Sequence, residues 1–260
     1  MPQFVLFGDS LTEWSFDEVD QGFGWFLQQK YRYKAAILNE GKAGGTSSDQ
    51  KEAFNRIMQY TTAPGAPKTL LFTILLGTND ACYVGADREK VPLAEFSGNI
   101  CGFLDTILTE MALEDAKIVL ITPPPLNMPS PRSGKNMSQE EIEKDNASMR
   151  KSVWHMAYMN KRRYAEEVMK IAKEYEETQR VVGLNFWQNI VDAVVEEQVY
   201  EYNPGLPPGC GLHGAKTFPK GWFTDGLHLD VKGYAVLNKG LFKLITEKWP
   251  ELAPENLLYG

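Results

Sequence analysis

Five short apolar runs, separated along 260 residues by longer amphipathic stretches, leave few folds open to this chain. The runs are Phe4–Phe7, Ala35–Leu38, Leu70–Leu76, Ile118–Ile121 and Val181–Phe186, each about the length of a strand. Several are continuously apolar, as strands buried on both faces are. Helix-period stretches lie near Gly24–Tyr31, Asp49–Tyr60, Leu93–Met111 and Arg150–Tyr175, then Trp187–Tyr200 and Val231–Trp249. The longest carries Val153, Met156, Ala157, Tyr164, Val168 and Ile171 near the spacing of one helix face. Strand-helix-strand repetition predicts an α/β chain with about five parallel strands covered on both faces, a three-layer α/β/α arrangement.

No boundary divides residues 1–260 and no internal repeat is present, so a single domain is expected. Two stretches read as long loops: 123–138, with Pro123, Pro124, Pro125, Pro129 and Pro131, and 202–221, with Pro204, Pro207, Pro208 and Pro219 among five glycines. Loops of this length are uncommon in compact domains; lids or binding walls and mere decoration both stay open as readings. The net charge of −7 and pI near 5.2 would repel phosphate backbones and offer an anionic bilayer no basic face. Nucleic acid and membrane are therefore excluded as partners. Cys82, Cys101 and Cys210 lie far apart with no CxxC pair, which fits idle thiols in a reducing compartment.

The start, Met-Pro-Gln, passes directly into Phe4-Val5-Leu6-Phe7 without the flank and cleavage site of a signal peptide. No apolar run reaches membrane-spanning length. The ending Leu258-Tyr259-Gly260 carries no lipidation signal, and the Asn-x-Ser matches at Asn136 and Asn146 read as chance. The expected location is cytoplasmic.

Histidine scarcity narrows the chemistry. Only His155, His213 and His228 are available as imidazole bases. His155 opens a helical stretch and reads as a packing or surface position, while His213 lies in the Gly/Pro-rich loop with no acid within three residues. His228 has a close partner in Thr224-Asp225-Gly226-Leu227-His228, where a turn can bring the carboxylate to the imidazole. Asp-x-x-His alone is usually structural. No second histidine or cysteine stands at ligand spacing, so no metal is expected.

A second constellation is Phe4-Val5-Leu6-Phe7-Gly8-Asp9-Ser10-Leu11-Thr12-Glu13, which places Ser10 just beyond a strand's carboxyl end. A helix cap and a phosphate or flavin cradle are the competing readings. Asp9 would repel phosphate, and neither GxGxxG nor GxxxxGK[ST] is present. GxSxG is also absent, which argues against an α/β-hydrolase elbow. Two further loops, Asn39–Ser47 and Leu76–Ala81, follow the second and third apolar runs. If the strand order is flavodoxin-like, Ser10, Gly44 and Asn79 meet at the topological switch point. Backbone N–H groups and an Asn amide there could serve as oxyanion donors.

The blocks Gly8-Asp9-Ser10-Leu11, Gly44, Gly77-Thr78-Asn79-Asp80 and Asp225-Gly226-Leu227-His228, in that order, resemble the SGNH (GDSL-type) hydrolases. The similarity is greatest to the isoamyl acetate-hydrolysing esterase branch. It includes Leu6–Glu13, Gly77–Cys82, Val91–Phe96, Thr224–His228 and the tail Pro254–Tyr259. The resemblance implies Ser10 as nucleophile, His228 and Asp225 as the rest of a triad, and Ser10 and Gly44 N–H groups with the Asn79 amide as oxyanion hole. It further implies hydrolysis of small, short-acyl carboxylic esters, acetates foremost, without a cofactor. Deacetylation of sugars or metabolites, lysophospholipid or thioester hydrolysis, and a non-catalytic binding domain are the alternatives. The expected partner is a small-molecule ester, with a homodimer as the one macromolecular association left open. Gly45 and Ser48-Asp49 depart from the branch, which carries an aromatic residue and an Arg-Trp pair there, and the 202–221 loop is longer.

Overall fold

The computed structural model describes residues 1–84, 88–131 and 137–257. Its centre is a parallel sheet of five strands: β1 (Gln3–Gly8), β2 (Ala36–Gly41), β3 (Thr69–Leu75), β6 (Lys117–Ile121) and β7 (Val181–Leu184). They lie in the order β2-β1-β3-β6-β7, which is flavodoxin-like. Two-residue strands β4 (Tyr83–Val84) and β5 (Arg88–Glu89) pair separately as an antiparallel hairpin, an element the apolar runs do not signal.

The helices are α1 (Ser10–Glu13), α2 (Phe23–Lys30), α3 (Lys51–Thr61), α4 (Leu93–Thr109), α5 (Gln139–Met149), α6 (Val153–Glu174), α7 (Phe186–Gln198) and α8 (Val231–Lys248). β1 explains the layering. Side chains alternate along a strand, so Phe4 and Leu6 enter one core with residues of α2, α7 and α8. Val5 and Phe7 enter the other with α3, α4 and most of the buried face of α6. Both faces being covered, all six β1 residues are buried, as their apolar run requires.

Two boundaries differ from expectation for local reasons. The fifth run ends at Leu184 because Asn185 caps α7 through the Gln188 N–H at 3.1 Å. α6 starts at Val153, where the Ser152 hydroxyl accepts the His155 N–H. The 202–221 segment is irregular, as expected. Part of the 123–138 loop, including Asn136, and the tail residues Leu258, Tyr259 and Gly260 lie outside the described residues. Asn146 is buried, its amide bonded to the His213 backbone at both N–H and C=O. No helix among the described residues is long and apolar enough to cross a membrane.

Candidate active site

The strand order reverses direction between β1 and β3, and the loops leaving their carboxyl ends converge there. Asp9 follows β1 and caps α1, its Oδ1 accepting the Leu11 N–H at 2.9 Å. Ser10 is then the first helical residue, and its own N–H has no acceptor within the helix. The Asp9 N–H donates to the Leu75 carbonyl on β3 at 3.3 Å, and the Lys42 N–H donates to the Gly8 carbonyl at 3.0 Å. Three loops are thereby tied together around Ser10.

His228 reaches Ser10 from 218 residues away in sequence. A tight turn carries it: Phe223 bridges Leu229, and the Thr224 N–H donates to the His228 carbonyl at 2.9 Å. Gly226 sits in this turn at φ +88°, and a Cβ there would lie 2.8 Å from the Asn127 carbonyl. Only glycine meets both conditions without strain. Asp225 Oδ1 accepts the backbone N–H groups of Leu227 and His228, at 2.9 and 2.8 Å. Its Oδ2 faces His228 Nδ1 at 2.6 Å, and His228 Nε2 lies 3.0 Å from Ser10 Oγ.

Partial burial would raise the Asp225 carboxyl, but the backbone and ring hydrogen bonds of His228 and the Leu227 N–H outweigh it and hold the group below the usual range. An ionised carboxylate only accepts, so Nδ1 carries the imidazole proton and Nε2 is left to accept the Ser10 hydroxyl. Ser10 is 4% exposed and the His228 side chain 19%, so the pair is sheltered yet open on one side. This arrangement can take a proton from Ser10 and return it to a leaving group.

Asn79 donates through Nδ2 to the Gly45 carbonyl at 2.9 Å, leaving its second amide hydrogen for another acceptor. Gly44 adopts φ +73°, a left-handed conformation suited to glycine. The Lys90 ammonium donates to its carbonyl at 3.3 Å, and Glu13 Oε2 accepts the neighbouring Ala43 N–H at 2.6 Å. Neither the Ser10 nor the Gly44 N–H has an acceptor among the described residues. Ser48, at one departure from the branch, binds Glu95 and Asn99 of α4, at 2.6 and 2.9 Å. These bonds tie the loop after β2 to α4.

Several neighbours escape sequence reasoning. Trp14 packs its indole on the His228 ring, with centroids 4.4 Å apart. Beneath the loops, Asp9, Asp80 and Lys161 are buried together. Lys161 Nζ donates to the Thr78 carbonyl, adjacent to Asn79. Asp80 Oδ1 accepts both the N–H and the hydroxyl of Ser47. Burial pushes both carboxyls up, Asp9 to about 6, and pushes the Lys161 ammonium down. Trp14 stands four residues after Ser10, one helical turn, and that spacing was the available signal.

The other histidines lie elsewhere. His155 Nδ1 pairs with the Cys210 carbonyl at 3.2 Å, a packing role. His213 has an acid after all, but a remote one: Asp145 Oδ2 lies 2.5 Å from its Nε2. His213 borders a cavity of about 400 Å³ with Arg150 and Leu206, and no member of the Ser10 chain lines it. Among the described residues, no three His, Cys, Asp or Glu side chains group as metal ligands.

A serine, an imidazole and a carboxylate in hydrogen-bonded series are the working parts of serine hydrolases on several unrelated folds. The chain belongs to the GDSL-like lipase/acylhydrolase family, whose family model matches residues 4–241. It is similar to the isoamyl acetate-hydrolyzing esterase of Saccharomyces cerevisiae, at 27% identity over 99% of this chain and 91% of the relative. A GDSL esterase/lipase of Arabidopsis thaliana is 27% identical over 98% and 89%. Among solved structures, an acetylxylan esterase of Geobacillus stearothermophilus shares the fold, with TM-score 0.57, 17% identity and 94% of each chain covered. The family and these relatives are carboxylic ester hydrolases.

Proposed function

We propose that the chain hydrolyses small, short-acyl carboxylic esters, acetates foremost, through an acyl-enzyme on Ser10. The observation that carries this reading is the series Ser10 Oγ–His228 Nε2, 3.0 Å, and His228 Nδ1–Asp225 Oδ2, 2.6 Å. His228 takes the Ser10 proton as Oγ attacks the ester carbonyl, and Asp225 stabilises the imidazolium that forms. The negative charge moves to the carbonyl oxygen, where the Ser10 and Gly44 N–H groups and the free Asn79 amide hydrogen are the donors assigned to it. Collapse breaks the bond to the alcohol, which leaves with the proton from Nε2. Water then repeats the sequence against the acyl group, and Ser10 is restored.

The acetate preference draws support from the yeast relative's named activity. Hydrolysis of nitrophenyl esters with acyl chains of two to twelve carbons tests it. Turnover should be highest on the acetate and fall with chain length. A maximum at long chains would favour lysophospholipid-type substrates, and no turnover at any length would favour a binding domain. His228→Ala should lose about three decades of kcat, whereas His213→Ala, altering a remote clamp, should keep most of it.

A further inference from the structure

We propose that Trp14 is a specificity-determining residue on the alcohol side of the ester, the wall against which an apolar leaving alcohol packs. This rests on the esterase reading above. Trp14 closes α1, its N–H bonded to the Ser10 carbonyl, so its side chain stands on the face that carries the Ser10 hydroxyl. The indole lies 4.4 Å from the His228 ring between centroids, inclined at 49°, and is 45% exposed. The backbone beneath it is anchored on two sides: Asn39 Nδ2 donates to the Glu13 carbonyl at 2.9 Å, and Tyr234 donates its hydroxyl hydrogen to the Leu11 carbonyl at 2.9 Å. A half-open indole on an anchored turn is a preformed surface, with little conformational entropy left to lose on binding.

The chemistry assigns that surface to one half of the substrate. Of the three groups on the reacting carbon, the carbonyl oxygen belongs with the Ser10 N–H and the donors on the loops after β2 and β3. The ester oxygen must receive the proton held on His228 Nε2, because the bond to the alcohol breaks as the carbonyl reforms and the alkoxide takes that proton. It therefore sits within hydrogen-bond reach of Nε2. Whatever carbon body is attached to it passes beside the imidazole, where the Trp14 ring offers apolar area and dispersion contact. The acyl chain, attached to the carbon itself, has no such obligation to His228. An alcohol with a branched alkyl or aryl body gains from the indole, and methanol does not.

The test is kcat/KM on methyl, isoamyl and benzyl acetate, with methyl acetate against methyl butyrate as the acyl control. Wild-type protein, Trp14→Ala and Trp14→Phe are compared. The isoamyl-to-methyl and benzyl-to-methyl ratios should fall about tenfold in Trp14→Ala, in line with loss of one hydrophobic contact, and recover in part in Trp14→Phe. The butyrate-to-acetate ratio and the pH midpoint of kcat should match wild type. Equal losses on all alcohols, or a moved pH midpoint, would mean that Trp14 acts only by holding His228, and the proposal falls. A change confined to the acyl ratio also overturns it. Wild-type protein that hydrolyses acetates with unaltered alcohol ratios in the variants defeats this inference alone. Failure to hydrolyse any acetate defeats the esterase reading and this with it.

Discussion

Asp9 is adjacent to Ser10 and fully buried, with one carboxylate oxygen on the Leu11 N–H and the other without a partner among the described residues. Burial pushes it up to about 6, against the opposing pull of the Leu11 N–H and Lys161. Between roughly pH 4 and 6 the folded chain thus holds a proton that the unfolded chain has released. A raised acid favours the folded state as pH falls, and this stabilisation, roughly 3 kcal/mol in full, is lost as pH rises through 6. Asp9→Asn keeps an acceptor for Leu11 and removes the titration. Its melting temperature relative to wild type should climb between pH 4 and 7 and level off above. A difference that ignores pH would mean that Asp9 does not titrate there. Asn79→Ala should lower kcat about 10²–10³-fold with a much smaller change in KM, as loss of one oxyanion donor does. Preserved kcat with a lowered melting temperature would make Asn79 merely a prop for Gly45. At this scale the Asp225–His228 pairing was legible because few histidines compete and the turn is local, while Ser10 was picked out through the family resemblance; the structure brings the three side chains into one hydrogen-bonded series. Lys161 was not legible, since nothing in a helical stretch marks which lysine faces inward.

Helix α6 is the strut under the loop that follows β3. Four of its residues bind the segment after β3: Lys161 the Thr78 carbonyl, Asn160 the Ala81 carbonyl, Arg163 the Glu89 carboxylate and Tyr164 the Val91 carbonyl. Lys161 also faces the buried charges of Asp9 and Asp80. Removing one partner from a buried charge cluster costs about 3–5 kcal/mol because the others stay behind uncompensated. Lys161→Met should lose about that much in urea melts at pH 8. The loss should shrink toward pH 5, as the carboxyls take up protons in its place. A loss that is small, or equal at both pH values, would show that Lys161 is not their counter-charge. The long helices and central strands were legible from their periods. Helix α5 was overlooked although Ser138-Gln139-Glu140-Glu141 spells its capping box, with Ser138 and Glu141 bonded reciprocally. Its polar face, with Asn146 as the one buried residue, carries too weak an apolar period to stand out. The β4–β5 hairpin is too short for any period.

For the molecule as a whole, strand order brings four weak motifs to one edge of the sheet. Periodicity supplies strands but not their neighbours, so the flavodoxin-like order entered the sequence reading as a condition and through family resemblance. Once β1 lies between β2 and β3, the loops bearing Ser10, Gly44 and Asn79 share one edge. The turn before α8 then brings Asp225 and His228 to the same place. The path from the 202–221 segment is also tertiary: Asn127 clamps Phe218 through both its amide groups, while its N–H holds the Gly226 carbonyl at 2.8 Å. No local pattern could reveal that link. A fluorophosphonate reacts preferentially with a serine whose hydroxyl is activated by a base. Mass spectrometry of the folded protein after such treatment should find one adduct, on the peptide bearing Ser10, with esterase activity lost in proportion. Ser10→Ala should take up no label, and an adduct on another serine, or full activity with Ser10 modified, would contradict the assignment.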